Sequence, residues 1–127
     1  MNLTEHTILL TVAGSRAHGL HTDDSDVDLK GVLIPPAHFF HGFRNQVDQV
    51  DDNTQMQCFH PLLNSQERAA CARTKLEGSI YEIRKFVKLA SDCNPNLLEV
   101  LYCRDSEVRK ITPLGEALRQ NRDLCLS

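Results

Sequence analysis

Two apolar runs rich in β-branched residues flank a glycine–serine pair and two aspartates in the first third of this chain. The first run, residues 7–12, ends just before Gly14-Ser15; the second, residues 27–34, follows Asp26 and stops at Pro35-Pro36. Runs of this length and composition are typical of buried strands, and proline cannot continue a hydrogen-bonded ladder. The order predicts strand, tight turn and strand, so the fold must be built on a sheet.

The glycine–serine pair predicts an anion-binding turn at the exit of the first strand. Gly14 has no Cβ and lets a phosphate approach the main chain, while Ser15 offers a hydroxyl and a backbone N–H at the start of a short helical turn. Arg16 adds a guanidinium that can clamp a phosphate oxygen, and an ordinary surface position is its alternative interpretation. The candidate phosphate-binding residues are therefore Gly14, Ser15 and Arg16.

Two aspartates predict a metal site at the start of the second strand. Asp26 and Asp28 stand two residues apart, so their side chains are expected to leave one face, while Val27 between them points into the core. Two such carboxylates can hold Mg²⁺ or Mn²⁺, either one ion or two as in two-metal phosphoryl transfer. Lys30 follows on the same face, either as a ligand contact or as an ion-pair partner of the carboxylates.

The combination of these motifs resembles a known signature. Gly14-Ser15 with Asp26-Val27-Asp28 is similar to the signature of the DNA polymerase β-like nucleotidyltransferase superfamily. The longer run GSRAHGLHTDDSDVDLKGV, followed by RKFVKLA and NPNLLEVLY, resembles the branch of predicted nucleotidyltransferases linked to bacterial RNA-repair operons and found in phages. The resemblance implies an α/β (α+β) fold: a polymerase β-like core with a mixed sheet flanked by helices, followed by C-terminal helices.

The resemblance also implies a third metal-site acid on a neighbouring strand. Glu77 is the best match because it directly precedes the segment GSIYEIRKF, which we expect to be helical; Asp51 and Asp52 are the alternatives. In the superfamily this acid serves as, or orients, the base for the acceptor hydroxyl. The implied catalytic and metal residues are Asp26, Asp28 and Glu77.

The implied reaction is metal-dependent transfer of a nucleoside monophosphate from an NTP to a hydroxyl acceptor, with release of pyrophosphate. The resemblance does not determine the acceptor, which is an RNA, a protein or a small molecule. The alternative is a non-catalytic nucleotide-binding or antitoxin-like minimal nucleotidyltransferase that acts through a protein partner. A homo-oligomer is compatible with either function.

Length and composition set further expectations. The 127 residues predict a single domain. The resemblance implies that it is a minimal nucleotidyltransferase domain, with a core over residues 5–92 and a C-terminal helical part, residues 93–127, that is shorter than in the family. The net charge of -3 disfavours a protein that wraps nucleic acid. No apolar run approaches the roughly 20 residues of a membrane span, no secretory signal is visible, and the five cysteines form no C-x-x-C pair. We therefore expect a cytoplasmic protein without a membrane partner.

The second half of the chain predicts helices. Residues 79–90 place Ile80, Ile83, Phe86, Val87 and Ala90 on one helical face. Asn94-Pro95 and Thr112-Pro113 each combine an N-cap with proline at the first helical position, and they open helices over residues 96–102 and through Arg122. Between the halves we expect an irregular strand near residues 55–59, and either a helix or a loop over residues 65–75.

Overall fold

The computed structural model of this chain describes residues 2–13, 26–36 and 48–123, and the structural statements below concern these residues. Gly14, Ser15 and Arg16 lie outside them. In chain order the elements are α1 (Leu3–His6), β1 (Thr7–Ala13), β2 (Val27–Leu33), β3 (Gln49–Val50), α2 (Asn53–Met56), a 3₁₀ segment (Gln57–Leu62), α3 (Ser65–Cys71), β4 (Leu76–Glu82), α4 (Ile83–Ser91), α5 (Pro95–Tyr102), a second 3₁₀ segment (Asp105–Glu107), β5 (Val108–Ile111) and α6 (Pro113–Gln120).

The five strands form one mixed sheet in the order β3-β4-β2-β1-β5. β2 and β4 run parallel, whereas β1 pairs antiparallel with β2 and β5, and β3 pairs antiparallel with β4. A parallel pair needs a crossover connection, and here the chain between β2 and β4 includes β3, α2, the first 3₁₀ segment and α3. This mixed sheet with helices on it confirms the predicted fold class.

Each face of the sheet carries its own hydrophobic cluster, so the fold has three layers. Side chains that alternate along a strand point to opposite faces, and Leu9 and Leu10 accordingly belong to different clusters. The first face packs against α1, α2, the first 3₁₀ segment and α3 through Leu3, Met56, Phe59 and Ala70. The second face packs against α4 and α5 through Phe86, Ala90, Leu97, Val100 and Leu101.

The two strands predicted in the first third are confirmed, with ends shifted by one residue: β1 extends to Ala13 and β2 ends at Leu33. Val27 is fully buried, as expected for the residue between the two aspartates. Asp26, however, is exposed and lies one residue before β2. The helices opened by Pro95 and Pro113 are also confirmed, and the second of them ends at Gln120 instead of continuing through Arg122.

The helix predicted over residues 79–90 is wrong in its first turn, because Leu76–Glu82 is strand β4. Burial alternates from Leu76 to Ile80 with period two, which a strand beside β2 satisfies and a helix does not. The helix begins only at Ile83, where the carboxylate of Glu82 accepts a hydrogen bond from the N–H of Lys85 and caps it. Val87, expected on the buried face, is 43% exposed.

The strand predicted near residues 55–59 is also wrong, since α2 and the first 3₁₀ segment occupy this region. Asp52 starts the helical path by accepting a 2.8 Å hydrogen bond from the N–H of Thr54. Met56 and Phe59, three residues apart, are then both fully buried on one side. The open choice for residues 65–75 is settled as a helix, α3, followed by a turn; Asn64 and Glu67 form its capping box.

In the described part of the chain, no helix combines the length and apolar character that crossing a membrane requires.

Candidate active site

The register of the sheet brings two of the sequence-predicted acids side by side. β2 and β4 are parallel, and Asp28 is the direct neighbour of Glu77, while Lys30 is the neighbour of Ser79. Adjacent strands lie roughly 4.8 Å apart, so the side chains of such neighbours share a face and approach each other. Glu77 thus lies inside strand β4 and not directly before a helix, which corrects the sequence-based placement.

The face that carries these residues is the second one, the face covered by α4 and α5. The next neighbours along the same two strands, Val32 and Tyr81, belong to the hydrophobic cluster with Phe86 and Leu97. The second face therefore divides into an apolar end beneath the helices and a polar end. Four half-buried side chains form the polar end: Asp28, Lys30, Glu77 and Ser79.

The exit of β1 adjoins this polar end. Ala13, the last residue of β1, is the register neighbour of Asp28. The predicted phosphate-binding residues Gly14, Ser15 and Arg16 follow Ala13 directly in sequence and lie outside the described residues. Because β1 pairs antiparallel with β2, the last residue of β1 lies beside Asp28. The glycine–serine pair follows that residue directly in sequence.

Asp26 has a different environment from Asp28. It lies outside the strand, and its Oδ1 accepts a 3.2 Å hydrogen bond from the backbone N–H of Lys75. The N–H of Val27 donates a 3.0 Å bond to the carbonyl of Lys75. These two bonds fasten the start of β2 to the turn that precedes β4. Asp26 therefore lies at the same end of the sheet as Asp28, with one carboxylate oxygen engaged by the main chain.

Charge around Asp28 is unevenly balanced. Burial raises the pKa of the Asp28 carboxyl above its ordinary value; the Lys30 ammonium lowers it, and the carboxylates of Glu77 and Glu99 raise it further. The charged groups that act on Asp28 are thus two carboxylates and one ammonium. Glu99 comes from α5 and was missed by the sequence analysis. The sequence did contain a signal for Glu99. The spacing of the apolar residues Leu97, Val100 and Leu101 indicates the buried face of α5, and residue 99 lies at the edge of that face.

The alternative third acids occupy other roles. Asp51 accepts a 2.7 Å hydrogen bond from the side-chain amide of Gln49, and Asp52 caps α2. Both follow β3, which pairs with β4 and not with β2. Glu77 is the acid that the register places next to Asp28.

Carboxylate oxygens are the ligands that Mg²⁺ and Mn²⁺ prefer. Among residues 2–13, 26–36 and 48–123, no group of three or more His, Cys, Asp or Glu side chains is gathered closely enough to hold a metal ion. Asp28 and Glu77 nevertheless fit as a pair, because the register places both on one half-buried sheet face and a cation would offset the repulsion between the two carboxylates. Asp26 lies at the same end of the sheet and is not gathered with them into a three-acid group.

A mixed sheet with a glycine–serine exit after β1 and acids on β2 and β4 defines the class of polymerase β-like nucleotidyltransferase folds. The chain belongs to the RNA repair pathway DNA polymerase beta family, RlaP, whose sequence profile matches residues 2–127.

A curated relative agrees with the phage connection of the sequence resemblance. Over 96 residues the chain is 27% identical to the "Uncharacterized 38.9 kDa protein in nrdC-mobD intergenic region" of Enterobacteria phage T4. The match covers 76% of this chain and 25% of the phage protein, so the chain spans about a quarter of that relative's length. No solved structure matches the chain.

Proposed function

We propose that this chain transfers a nucleoside monophosphate from an NTP to a hydroxyl acceptor and releases pyrophosphate. The observation that supports this most directly is the parallel register of β2 and β4, which makes Asp28 and Glu77 neighbours on the half-buried polar end of one sheet face. Phosphoryl transfer of this kind depends on positioning and charge stabilisation and needs no covalent chemistry by the protein. Two acids fixed on adjacent strands are well suited to that task.

In this proposal Asp26, Asp28 and Glu77 hold the divalent cation, Mg²⁺ or Mn²⁺. When bound, the cation would neutralise charge on the phosphates and lower the pKa of an attacking hydroxyl. The two strands contribute rigidity, because Asp28 and Glu77 are held by consecutive ladder pairs from Val27–Leu76 to Leu33–Glu82. Ligands on strands keep their separation more accurately than ligands on loops.

The remaining predicted residues act on the substrates. Gly14, Ser15 and Arg16 bind the β- and γ-phosphates at the exit of β1. Glu77 accepts the proton of the acceptor hydroxyl or orients that hydroxyl. Lys30, two residues beyond Asp28 on the same face, lowers the pKa of Asp28 and so favours the ionised carboxylate that ligation requires.

A non-catalytic module that binds nucleotide and acts through a protein partner is the second candidate. Two observations favour it: Asp26 is engaged by the N–H of Lys75, and the acids in the described segments do not form a three-residue metal cluster. Such a module would retain NTP binding without transfer to any acceptor.

The test compares Asp28→Asn and Glu77→Gln with Ser79→Ala, a matched substitution on the same polar end. Binding of NTP with and without Mg²⁺ is measured by calorimetry, and transfer is followed with α-labelled NTPs and RNA, protein or small-molecule acceptors. Both acid variants should lose the Mg²⁺-dependent part of NTP binding and all labelling, while Ser79→Ala keeps both.

Unchanged NTP affinity in Asp28→Asn would refute the metal site. Mg²⁺-dependent binding without labelling of any acceptor, including the protein itself, would instead favour the non-catalytic module.

A further inference from the structure

A surface pocket of about 740 Å³ opens between α5 and the segment that precedes β5. One wall is a face of α5 formed by Pro95, Leu98, Glu99 and Tyr102, which follow the i, i+3, i+4, i+7 spacing of a helix surface. The other wall is the segment of residues 103–107. Pockets of roughly 300–1,000 Å³ are typical of small-molecule sites, and this one is large enough for a nucleoside.

The pocket lies at the end of the sheet that carries the candidate active site. β5 pairs antiparallel with β1, and Val108 is the neighbour of Thr11, so the wall residues before Val108 approach the end of β1, where Ala13 is the neighbour of Asp28. Glu99, which lines the pocket, also acts on the charge of Asp28. α5 packs on the same sheet face that carries Asp28 and Glu77, through Leu97, Val100 and Leu101. An occupant of the pocket would thus lie next to a phosphate group held at Asp28.

The far wall is held in place by a buried arginine. Arg119 on α6 donates a 2.6 Å hydrogen bond to the carbonyl of Cys103 and contacts the carboxylate of Asp105 at 3.1 Å. Arg104 forms an ion pair with Glu107, whose side chain is 10% exposed. Contacts within the protein therefore hold this wall in position without a ligand.

Tyr102 presents an oriented aromatic surface at the pocket. Its hydroxyl donates a 2.8 Å hydrogen bond to Asp123, and the guanidinium of Arg122 lies 5.2 Å from the ring centroid. The residue is nevertheless 41% exposed. A ring fixed at two points and exposed to this extent is suited to stacking on a flat ligand.

The charges of the pocket select the kind of ligand. Among the described residues, its lining contains two carboxylates, Glu99 and Glu107, and one guanidinium, Arg104. This balance repels phosphates, which argues against a polyanionic RNA strand in the pocket. It favours a neutral, flat group that donates hydrogen bonds, and the amino-bearing nucleobases have this chemistry.

We propose that this pocket receives the base of the incoming nucleotide, with Tyr102 as the stacking surface and Glu99 as the acceptor for an exocyclic amino group. The proposal rests on the nucleotidyl-transfer site described above. It makes α5 the element that determines which NTP is used.

The test measures binding of ATP, GTP, CTP, UTP and inorganic tripolyphosphate to the full chain in Mg²⁺. Tyr102→Ala should weaken binding of the preferred NTP about tenfold or more and leave tripolyphosphate unchanged, because stacking is lost and the phosphate site is not. Tyr102→Phe keeps the ring and should stay within about threefold of the parent. Val87→Ala removes a similarly exposed apolar side chain outside the pocket and serves as the control.

The role of Glu99 is tested by the ratio of two affinities, that for an NTP with an amino group on its base and that for its analogue without the amine. Both ligands carry the same triphosphate, so any influence of Glu99 on the phosphates cancels. Each amino-bearing NTP is compared with the analogue that lacks the amine: purine riboside triphosphate, ITP or the pyrimidinone riboside triphosphate. The parent should prefer one amino-bearing NTP by about tenfold, and Glu99→Ala should reduce that ratio toward one.

The outcomes separate this inference from the proposed function. If Asp28→Asn abolishes NTP binding while Tyr102→Ala and Glu99→Ala change neither affinity nor ratio, the base pocket is wrong and the metal site stands. The base pocket is equally wrong if its variants affect only the acceptor. If the ratio collapses in Glu99→Ala while Asp28→Asn binds normally, the pocket stands and the metal site is wrong. Absence of NTP binding by the parent chain overturns both.

Discussion

Glu67 and Arg109 form a two-point ion pair, with the Nε and Nη2 of Arg109 donating to Oε1 and Oε2 of Glu67 at 2.8 and 2.7 Å. The side chains are 4% and 13% exposed, and 42 residues separate them in the chain. Glu67 is also the third residue of α3, where it completes the capping box with Asn64. The pair therefore joins the crossover layer on the first face to β5, the edge strand that follows the pocket wall.

Removal of one partner of this ion pair should be costly. Arg109→Met removes the guanidinium that binds both oxygens of Glu67, and the free energy of unfolding should fall by about 3–5 kcal/mol. Urea denaturation of the parent and the variant measures the difference. The double variant Glu67→Gln with Arg109→Met should recover part of the lost free energy of unfolding, because the buried charge of Glu67 is removed as well. A double variant as unstable as the single one would show that the loss comes from the packing and hydrogen bonds of Arg109 and not from the charge of Glu67.

Asp28 should make the metal-free protein less stable as the pH rises. Its pKa is raised in the folded state, first by burial and then by Glu77 and Glu99 against the opposing effect of Lys30. The unfolded chain therefore loses the proton first, and ionisation above the ordinary value of 3.8 costs folding free energy.

Asp28→Asn should accordingly be more stable than the parent at about pH 7 in EDTA, with an advantage that disappears as the pH falls to 3.8 and below. Thermal unfolding across this pH range measures it. An advantage independent of pH would mean that the amide gains hydrogen bonds and that charge is not the cause.

A methyl group at Gly78 should disturb the register that aligns the acids. A Cβ at this position would lie 2.7 Å from the sulfur of Met56 and 2.9 Å from the carbonyl oxygen of Leu29, so β4 must shift against β2. Gly78→Ala should lower the free energy of unfolding by about 1–3 kcal/mol. Because Glu77 is the adjacent residue, Mg²⁺-dependent NTP binding should weaken as well. Ser79→Ala, the next position along the strand, is the control, and equal effects of the two substitutions would contradict this explanation.

Arg119 should control the order of the pocket wall. Arg119→Met removes the bonds to the carbonyls of Leu101 and Cys103 and to Asp105, which we expect to cost about 2–3 kcal/mol of unfolding free energy. Amide hydrogen exchange should accelerate in residues 103–107 more than in β2. Uniform acceleration throughout the chain would indicate a general loss of stability without a specific role at the wall.

Sequence alone predicted the features that depend on neighbours along the chain. The apolar runs of β1 and β2, the burial of Val27 and the capped starts of α5 and α6 were all confirmed, because strand alternation and N-caps are properties of a few consecutive residues. The family was also readable, since the resemblance rests on residues close together in sequence.

The local pattern of apolar residues gave a wrong prediction where the same residues fit both a helix and a strand. The segment after Glu77 carries apolar residues that satisfy a helix from residue 79 onward, and only pairing with β2 shows that the strand continues to Glu82. Residues 55–59 alternate weakly, yet the burial of Met56 and Phe59 in one layer makes them helical.

The candidate site itself was determined by the tertiary structure. The sequence supplied Asp28 and Glu77 as acids, but their adjacency comes from strand register across the long crossover between β2 and β4, and Glu99 acts on the charge of Asp28 because α5 packs on the same face. Long-range register is determined by the burial of whole strands and helices against one another, and no short stretch of sequence contains that information.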